Sequence, residues 1–241
     1  MRSPRNIILV AATAALAISA LVAPVSAVAA DKRPLAIVNG IPGRQVDLCL
    51  NGKEIKSGAR YGGKKTLSVS PGRKVLKIHK KAPGKCKGAL LGKRTFKLQS
   101  VDDFTLVATR KKTAGQPNKI VRFRNNDLGT VPQPSNLSGL YVMRHAADIG
   151  KVVFHVNEGG EFPQPQPAAT QPFVKGDQTS PAGITAGSKQ FWATREVYSK
   201  VVATAFPLLA ATPFFRYQLI LVGTKTANTK FVAIEQPVGN S

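Results

Sequence analysis

The side chains from which this chain could build a catalytic centre are few: three histidines and twelve acidic residues. His155 has Glu158 and Glu161 close behind it, in what reads as a turn rather than one helix face. A zinc hydrolase of the common kind needs His-Glu-x-x-His on a helix, and a nucleophile elbow needs Gly-x-Ser-x-Gly. Neither occurs, and Cys and His form no cluster. Asp102-Asp103 is an acidic pair, yet adjacent strand residues point to opposite faces, which rules the pair out for shared acid and base work. Gly58-Ala59-Arg60-Tyr61-Gly62-Gly63-Lys64-Lys65 comes near a phosphate-cradling loop. That loop requires Ser or Thr after its Lys, and a helix behind it. Lys65 stands in that place and Pro71 follows soon after, so the segment reads as a glycine-rich turn between strands. His145 reads as a turn residue satisfied by a local hydrogen bond. No catalytic residue, metal site or cofactor is expected. An enzyme would need residues far apart in sequence that meet only in the fold.

What the chain has in quantity is positive charge, a formal net +23 at pH 7. Residues 31–131 hold 24 Lys and Arg against 6 Asp and Glu, whereas residues 132–241 hold 9 against 6. Charge concentrated in one half points to a polyanionic partner. Solubility alone asks a small domain for a net charge of only about 2–8. Strand alternation names the candidate anion-binding residues. With Leu76 and Ile78 inward, Lys77, His79 and Lys81 face out. With Phe96 and Leu98 inward, Lys97 joins them. Lys80, Lys85 and Lys87 belong to a basic loop between those strands. Arg110, Lys111 and Lys112 lie at another strand end, and Arg122 and Arg124 alternate outward from Val121 and Phe123.

Lysine outnumbers arginine 16 to 8 in this half, which favours mobile point charges over planar, bidentate sites. Its aromatic residues are Tyr61, Phe96, Phe104 and Phe123, mostly at core positions, so no stacking platform for bases is expected. Sequence-specific nucleic-acid binding is therefore not expected. Anionic cell-envelope polymers or the membrane surface are the expected partners. The competing reading is a structural spacer or protein-interaction module whose charge is a solvated surface.

The elements that must position these residues begin after an export signal. Residues 1–6 carry two arginines and no acid, Ile7 to Val22 is unbroken apolar and small sequence, and Ala27-Val28-Ala29-Ala30 fits the small-x-small cleavage rule. Residues 1–30 are expected to be a secretory signal peptide, removed after Ala29 or Ala30. The apolar run is short of the ~20 residues that span a bilayer. No second such run follows, so the mature chain is expected outside the cytoplasm, secreted or at the cell surface, without a transmembrane segment. In an oxidising compartment Cys49 and Cys86 can close one disulfide. The alternative is two free thiols, since two cysteines without a second pair make a poor zinc site.

Residues 31–125 read as short strands alternating polar and apolar residues, with turns at Asn39-Gly40, Asn51-Gly52 and Pro71-Gly72. That pattern predicts an antiparallel sandwich with one wet face per sheet. Residues 126–139 read as a linker. Residues 140–241 repeat the pattern. Leu140 to Asn157 matches Leu35 to Asn51, Thr185 to Ala193 matches Ser70 to Lys77, Tyr217 to Val222 matches Phe104 to Thr109, and Phe231 to Ile234 matches Ile120 to Phe123. This is a domain duplication. The second copy is interrupted at 161–183, where five prolines predict a long loop or disordered insertion. The expected fold is all-β: two tandem immunoglobulin-like antiparallel β-sandwich domains after a signal peptide, the first strongly basic.

The pattern resembles the bacterial secreted "domain of unknown function 4397" family. In the first copy the resemblance rests on Val46-Asp47-Leu48-Cys49-Leu50-Asn51-Gly52, Tyr61-Gly62 and Pro71-Gly72. In the second it rests on Arg144-His145-Ala146, Val152 to Asn157 and Ala186-Gly187. Asn39 stands where the family usually has His, and Val153 where it has Asp. The resemblance implies an exported β-sandwich and transfers no catalytic residue.

Overall fold

The computed structural model describes residues 32–110, 118–126, 139–157, 172–184, 187–195, 201–211, 215–224 and 228–237. The expected signal peptide, most of the linker, residues 161–171, Lys111 and Lys112 lie outside the described residues. The chain is all-β. The first half holds β1 (Arg33–Gly40), β2 (Val46–Leu50), β3 (Lys53–Ala59), β4 (Lys64–Val69), β5 (Gly72–Lys80), β6 (Leu90–Leu98), β7 (Phe104–Thr109) and β8 (Lys119–Arg124). The second holds β9 (Gly139–His145), β10 (Val152–Asn157), β11 (Ala182–Ile184), β12 (Gly187–Arg195), β13 (Val201–Ala211), β14 (Phe215–Val222) and β15 (Lys230–Pro237). No helix long and apolar enough to cross a membrane occurs among the described residues.

Each half is a two-sheet sandwich. Sheet A runs β4-β1-β7-β8 and sheet B runs β3-β2-β5-β6; sheet C runs β11-β9-β14-β15 and sheet D runs β10-β12-β13. The halves share one topology, with β9, β12, β14 and β15 in the places of β1, β5, β7 and β8. Both copies also carry a feature that alternation does not reveal. The first strand pairs in parallel with a late one, β1 with β7 and β9 with β14, inside otherwise antiparallel sheets.

Sequence alternation explains sheet B. Leu48, Leu76, Ile78, Phe96 and Leu98 point into the first core, where they meet Leu35, Ile37, Phe104 and Leu106 of sheet A. The turns follow from residue chemistry. Asn51 and Gly52 take positive φ, 51° and 80°, as a two-residue hairpin demands. The near phosphate-loop is the β3–β4 turn, with Gly62 at φ 79°.

Sheets A and C depart from the one-wet-face expectation. Strand β7 is buried at every residue, as is β9, and β1 and β14 are buried along their last six. Their runs Leu35-Ala36-Ile37-Val38 and Leu140-Tyr141-Val142-Met143 are continuous rather than alternating, the mark of strands covered on both sides. The second cover is the other half of the molecule. Ala36, Val38, Val107 and Phe123 form one apolar cluster with Ala146, Ile220, Val222, Val232 and Ile234. The layers therefore stack in the order B, A, C, D.

Beside this cluster lies a buried polar network. The Arg144 guanidinium donates to Asn125 Oδ1 at 2.6 Å, Gln218 Oε1 at 2.7 Å and the Arg124 carbonyl at 2.9 Å. It sits 5.2 Å over the Phe123 ring. Thr105 Oγ1 donates to Gln218 Oε1 at 2.6 Å, and Gln218 Nε2 to Gln236 Oε1 at 2.9 Å. At the rim the Tyr61 hydroxyl lies between the carbonyls of Val222 and Asn228, and burial pushes its ionisation up.

The expected insertion at 161–183 is held in the fold over its described part, residues 172–183. Phe173 bridges to Val152, Gln178 to Arg144, and β11 adds an edge to sheet C. Pro-rich composition hid a segment whose backbone is held by its neighbours. Sheet D has three strands among the described residues where sheet B has four.

Candidate anion-binding surface

The outer face of sheet B carries Lys77, His79 and Lys97 among the basic residues singled out by sequence. In the β5–β6 ladder Lys77 stands directly opposite Lys93, and Arg73 opposite Lys97. Directly paired residues share a face, so these four cations form a two-by-two array. The pairs are four residues apart along the strand, about 13 Å, and strands lie about 4.8 Å apart. Like charges directly opposite cost stability. Glu54 opposes Cys49 on the β2–β3 side of the same sheet, outside the β5–β6 ladder. Lys77 and Lys97 are where sequence placed them; Arg73 and Lys93 were not singled out, because only the β5–β6 register shows them as partners.

The basic loop after β5 is pinned across this face. Cys49 and Cys86 form a disulfide with an S–S distance of 2.02 Å. The carbonyl of Gly88 faces His79 Nδ1 at 2.7 Å, which must therefore carry the proton, and Lys80 N donates to the Ala89 carbonyl at 2.8 Å. A Cβ at Gly88 would meet the Lys80 carbonyl oxygen at 1.8 Å, so only glycine permits the approach. Lys85 and Lys87 are exposed on the loop.

Two expected binders also make ties within the fold. His79 spends its ring nitrogen on the loop. Lys81 Nζ lies 3.5 Å from Asp47 Oδ1 and also donates to Ser57 Oγ. Asp47, fully buried, accepts from Gly58 N at 2.8 Å through the same oxygen. Lys80 and Arg110 are exposed and meet Lys81 and Arg44 around a depression of about 380 Å³ at one end of the sandwich.

Arg122 and Arg124 lie elsewhere than expected. Val121 and Phe123 pack between the two sandwiches, not in the first core. Arg122 opposes Leu106 and Arg124 opposes Phe104, so both project on the core side of edge strand β8. The Arg122 guanidinium covers the Phe104 ring at 4.9 Å. The inversion has a physical cause. Sheet A is buried on both faces, so an apolar residue there does not identify the inner face.

The histidines and carboxylates do not converge. His145 Nε2 donates to the Gly150 carbonyl at 2.6 Å, the local turn bond that sequence suggested. His155 stacks on Trp192 at 5.3 Å and meets Thr194 Oγ1 at 2.9 Å. Burial lowers the proton affinity of both imidazoles. Burial raises that of Asp103, against opposing pulls from its Asn125 hydrogen bond and the charges of Arg216 and Arg144. No group of three or more His, Cys, Asp and Glu able to hold a metal occurs among the described residues.

No family model and no curated protein matches this chain. Among solved structures it is similar to the crystal structure of CBMbc (family CBM26) from Eubacterium rectale Amy13K in complex with maltoheptaose. The identity is 12% over 86% of this chain and 98% of that one, with a TM-score of 0.23.

Proposed function

We propose that this chain is an exported, non-catalytic binding protein that engages an anionic cell-envelope polymer through the outer face of sheet B and its pinned loop. The observation that carries the reading is the array Arg73–Lys97 and Lys77–Lys93. Two like-charged pairs set directly opposite on one face oppose folding, and a row of negative charges laid along them relieves that repulsion. The Cys49–Cys86 bond supports export, since disulfides persist in oxidising compartments. The resemblance of its turns and strands to the "domain of unknown function 4397" family is in keeping with export. The array is lysine-rich and lacks an exposed aromatic platform, which favours a charged chain over stacked bases.

The test is binding of the full mature chain to envelope polymer, anionic vesicles and DNA across a salt series. Retention on the envelope polymer near physiological salt, with the other two lost, supports the reading. Equal weak binding to all three, vanishing together as salt rises, would reduce the charge to counterion release. The role of structural spacer would then be the better account.

A further inference from the structure

The outer-face array does not account for the cations at the edge of the first sandwich. There β6 and β8 approach each other and leave an open cleft of about 570 Å³. Lys93, Arg94, Asn118, Lys119 and Arg122 line it from the first half, and Lys175 reaches it from the second. No acid is among the lining residues described. The volume is within the range of small-ligand sites, about 300–1,000 Å³.

The walls are fixed by their own bonds. Arg94 Nη1 donates to the Ile120 carbonyl across the seam, and Asn118 Nδ2 donates to the Leu91 carbonyl at 3.0 Å. The Arg122 guanidinium sits 4.9 Å from the centre of the Phe104 ring. Two guanidiniums are thus kept near each other by contacts that do not neutralise them. Burial and the charge of Arg122 both weaken the hold of Arg94 on its proton. Lys175 is partly answered by Asp148 at 3.6 Å, and so contributes less. Guanidiniums present several N–H donors in a planar fork suited to tetrahedral oxyanions. A single carboxylate would answer only one charge; a phosphate carrying nearly two negative charges answers both arginines.

We infer that the cleft between β6 and β8 is a site for a doubly charged phosphate group, held by Arg94 and Arg122 with Lys93 and Lys119 at its mouth. It deepens the proposed function and rests on that reading for its source, the end group of an envelope polymer rather than free phosphate. Lys93 belongs to both sites, so a polymer lying on the outer face can turn its end into the cleft.

The experiment uses the full mature chain and inorganic pyrophosphate as probe, followed by calorimetry and by amide chemical shifts. Saturable binding is expected, with shifts at Arg94 and Ile120 to Arg122. Arg122→Gln and Lys119→Gln should each weaken it about tenfold or more, and Arg73→Gln and Lys97→Gln should leave it within about twofold. Arg94→Gln also removes the bond to Ile120, so the other two variants keep the test independent of its folding. Non-saturable binding, or equal loss in all four variants, overturns the inference. Free phosphate competing as well as a phosphate-ended polymer fragment would overturn the polymer as source. Envelope binding that survives while pyrophosphate fails to bind sinks the cleft alone. Pyrophosphate binding without envelope binding sinks the proposed function alone.

Discussion

At the residue scale the molecule holds like charges face to face. Lys77 and Lys93 repel across one rung of the β5–β6 ladder. Lys77→Gln is expected to raise stability by about 0.2–1 kcal/mol and to weaken polymer binding, both read from one protein by thermal denaturation and a binding isotherm. A variant that loses stability instead would show that the lysine stem packs usefully and the charge is incidental. The candidate array was half legible in sequence. Alternation around Leu76, Ile78, Phe96 and Leu98 places Lys77 and Lys97 outward. Their partners Arg73 and Lys93 depend on register, which alternation leaves open by steps of two. His79 and Lys81 were placed at the right strand end, but sequence did not show their internal partners, the Gly88 carbonyl for His79 and Asp47 and Ser57 for Lys81, which register and the loop bring together. His145 carries a separate prediction. Burial holds its imidazole below the ordinary 6.5. Just below that pH the unfolded chain takes up a proton that the folded chain refuses. Stability should therefore rise with pH up to about 6.5 and fall on acidification. His145→Gln, which keeps a donor for Gly150, should flatten that part of the profile measured by urea unfolding.

At the element scale the disulfide governs the basic loop. It joins residues 37 apart in sequence, and in the chain-entropy model a loop of that length stabilises by about 4 kcal/mol. The pair Cys49→Ser with Cys86→Ser should lose stability of that order. It should also bind polymer more weakly, since Lys85 and Lys87 are no longer held over the array. Unchanged affinity would remove the loop from the binding surface. The duplicated strands were legible, because β9, β12, β14 and β15 repeat the turn residues and apolar runs of β1, β5, β7 and β8. Strand β11 was hidden by the prolines that precede it. The parallel pairing of β1 with β7 has no local signature, since the strands it joins are separated by most of a domain.

At the scale of the whole molecule the two sandwiches share a buried face, and the expectation of wet outer faces on every sheet gives way. Its signal was present in the unbroken apolar runs of β1 and β9, which an isolated sandwich would have no reason to carry. Arg144 adds a second tie, because separating the halves would leave Asn125 and Gln218 to find new partners. The full chain should therefore unfold in one transition. Trp192, the sole tryptophan, reports the second sandwich, and amide signals of Leu76 and Ile78 report the first. Coincident midpoints are expected, whereas a second sandwich melting well before the first would show that the interface contributes little.

On the proposed function, a patterned array rather than net charge binds the polymer. The most direct test compares the salt dependence of binding to a poly(glycerol phosphate) chain for the full protein and two double variants. One, Lys77→Gln with Lys97→Gln, touches the array. The other, Lys53→Gln with Lys65→Gln, removes equal charge from β3 and β4. The array variant should bind at least about tenfold more weakly, with its logarithmic salt slope reduced by about two, and the control should bind like the unaltered chain. Equal losses in the two would mean that charge alone decides, and the account would be wrong.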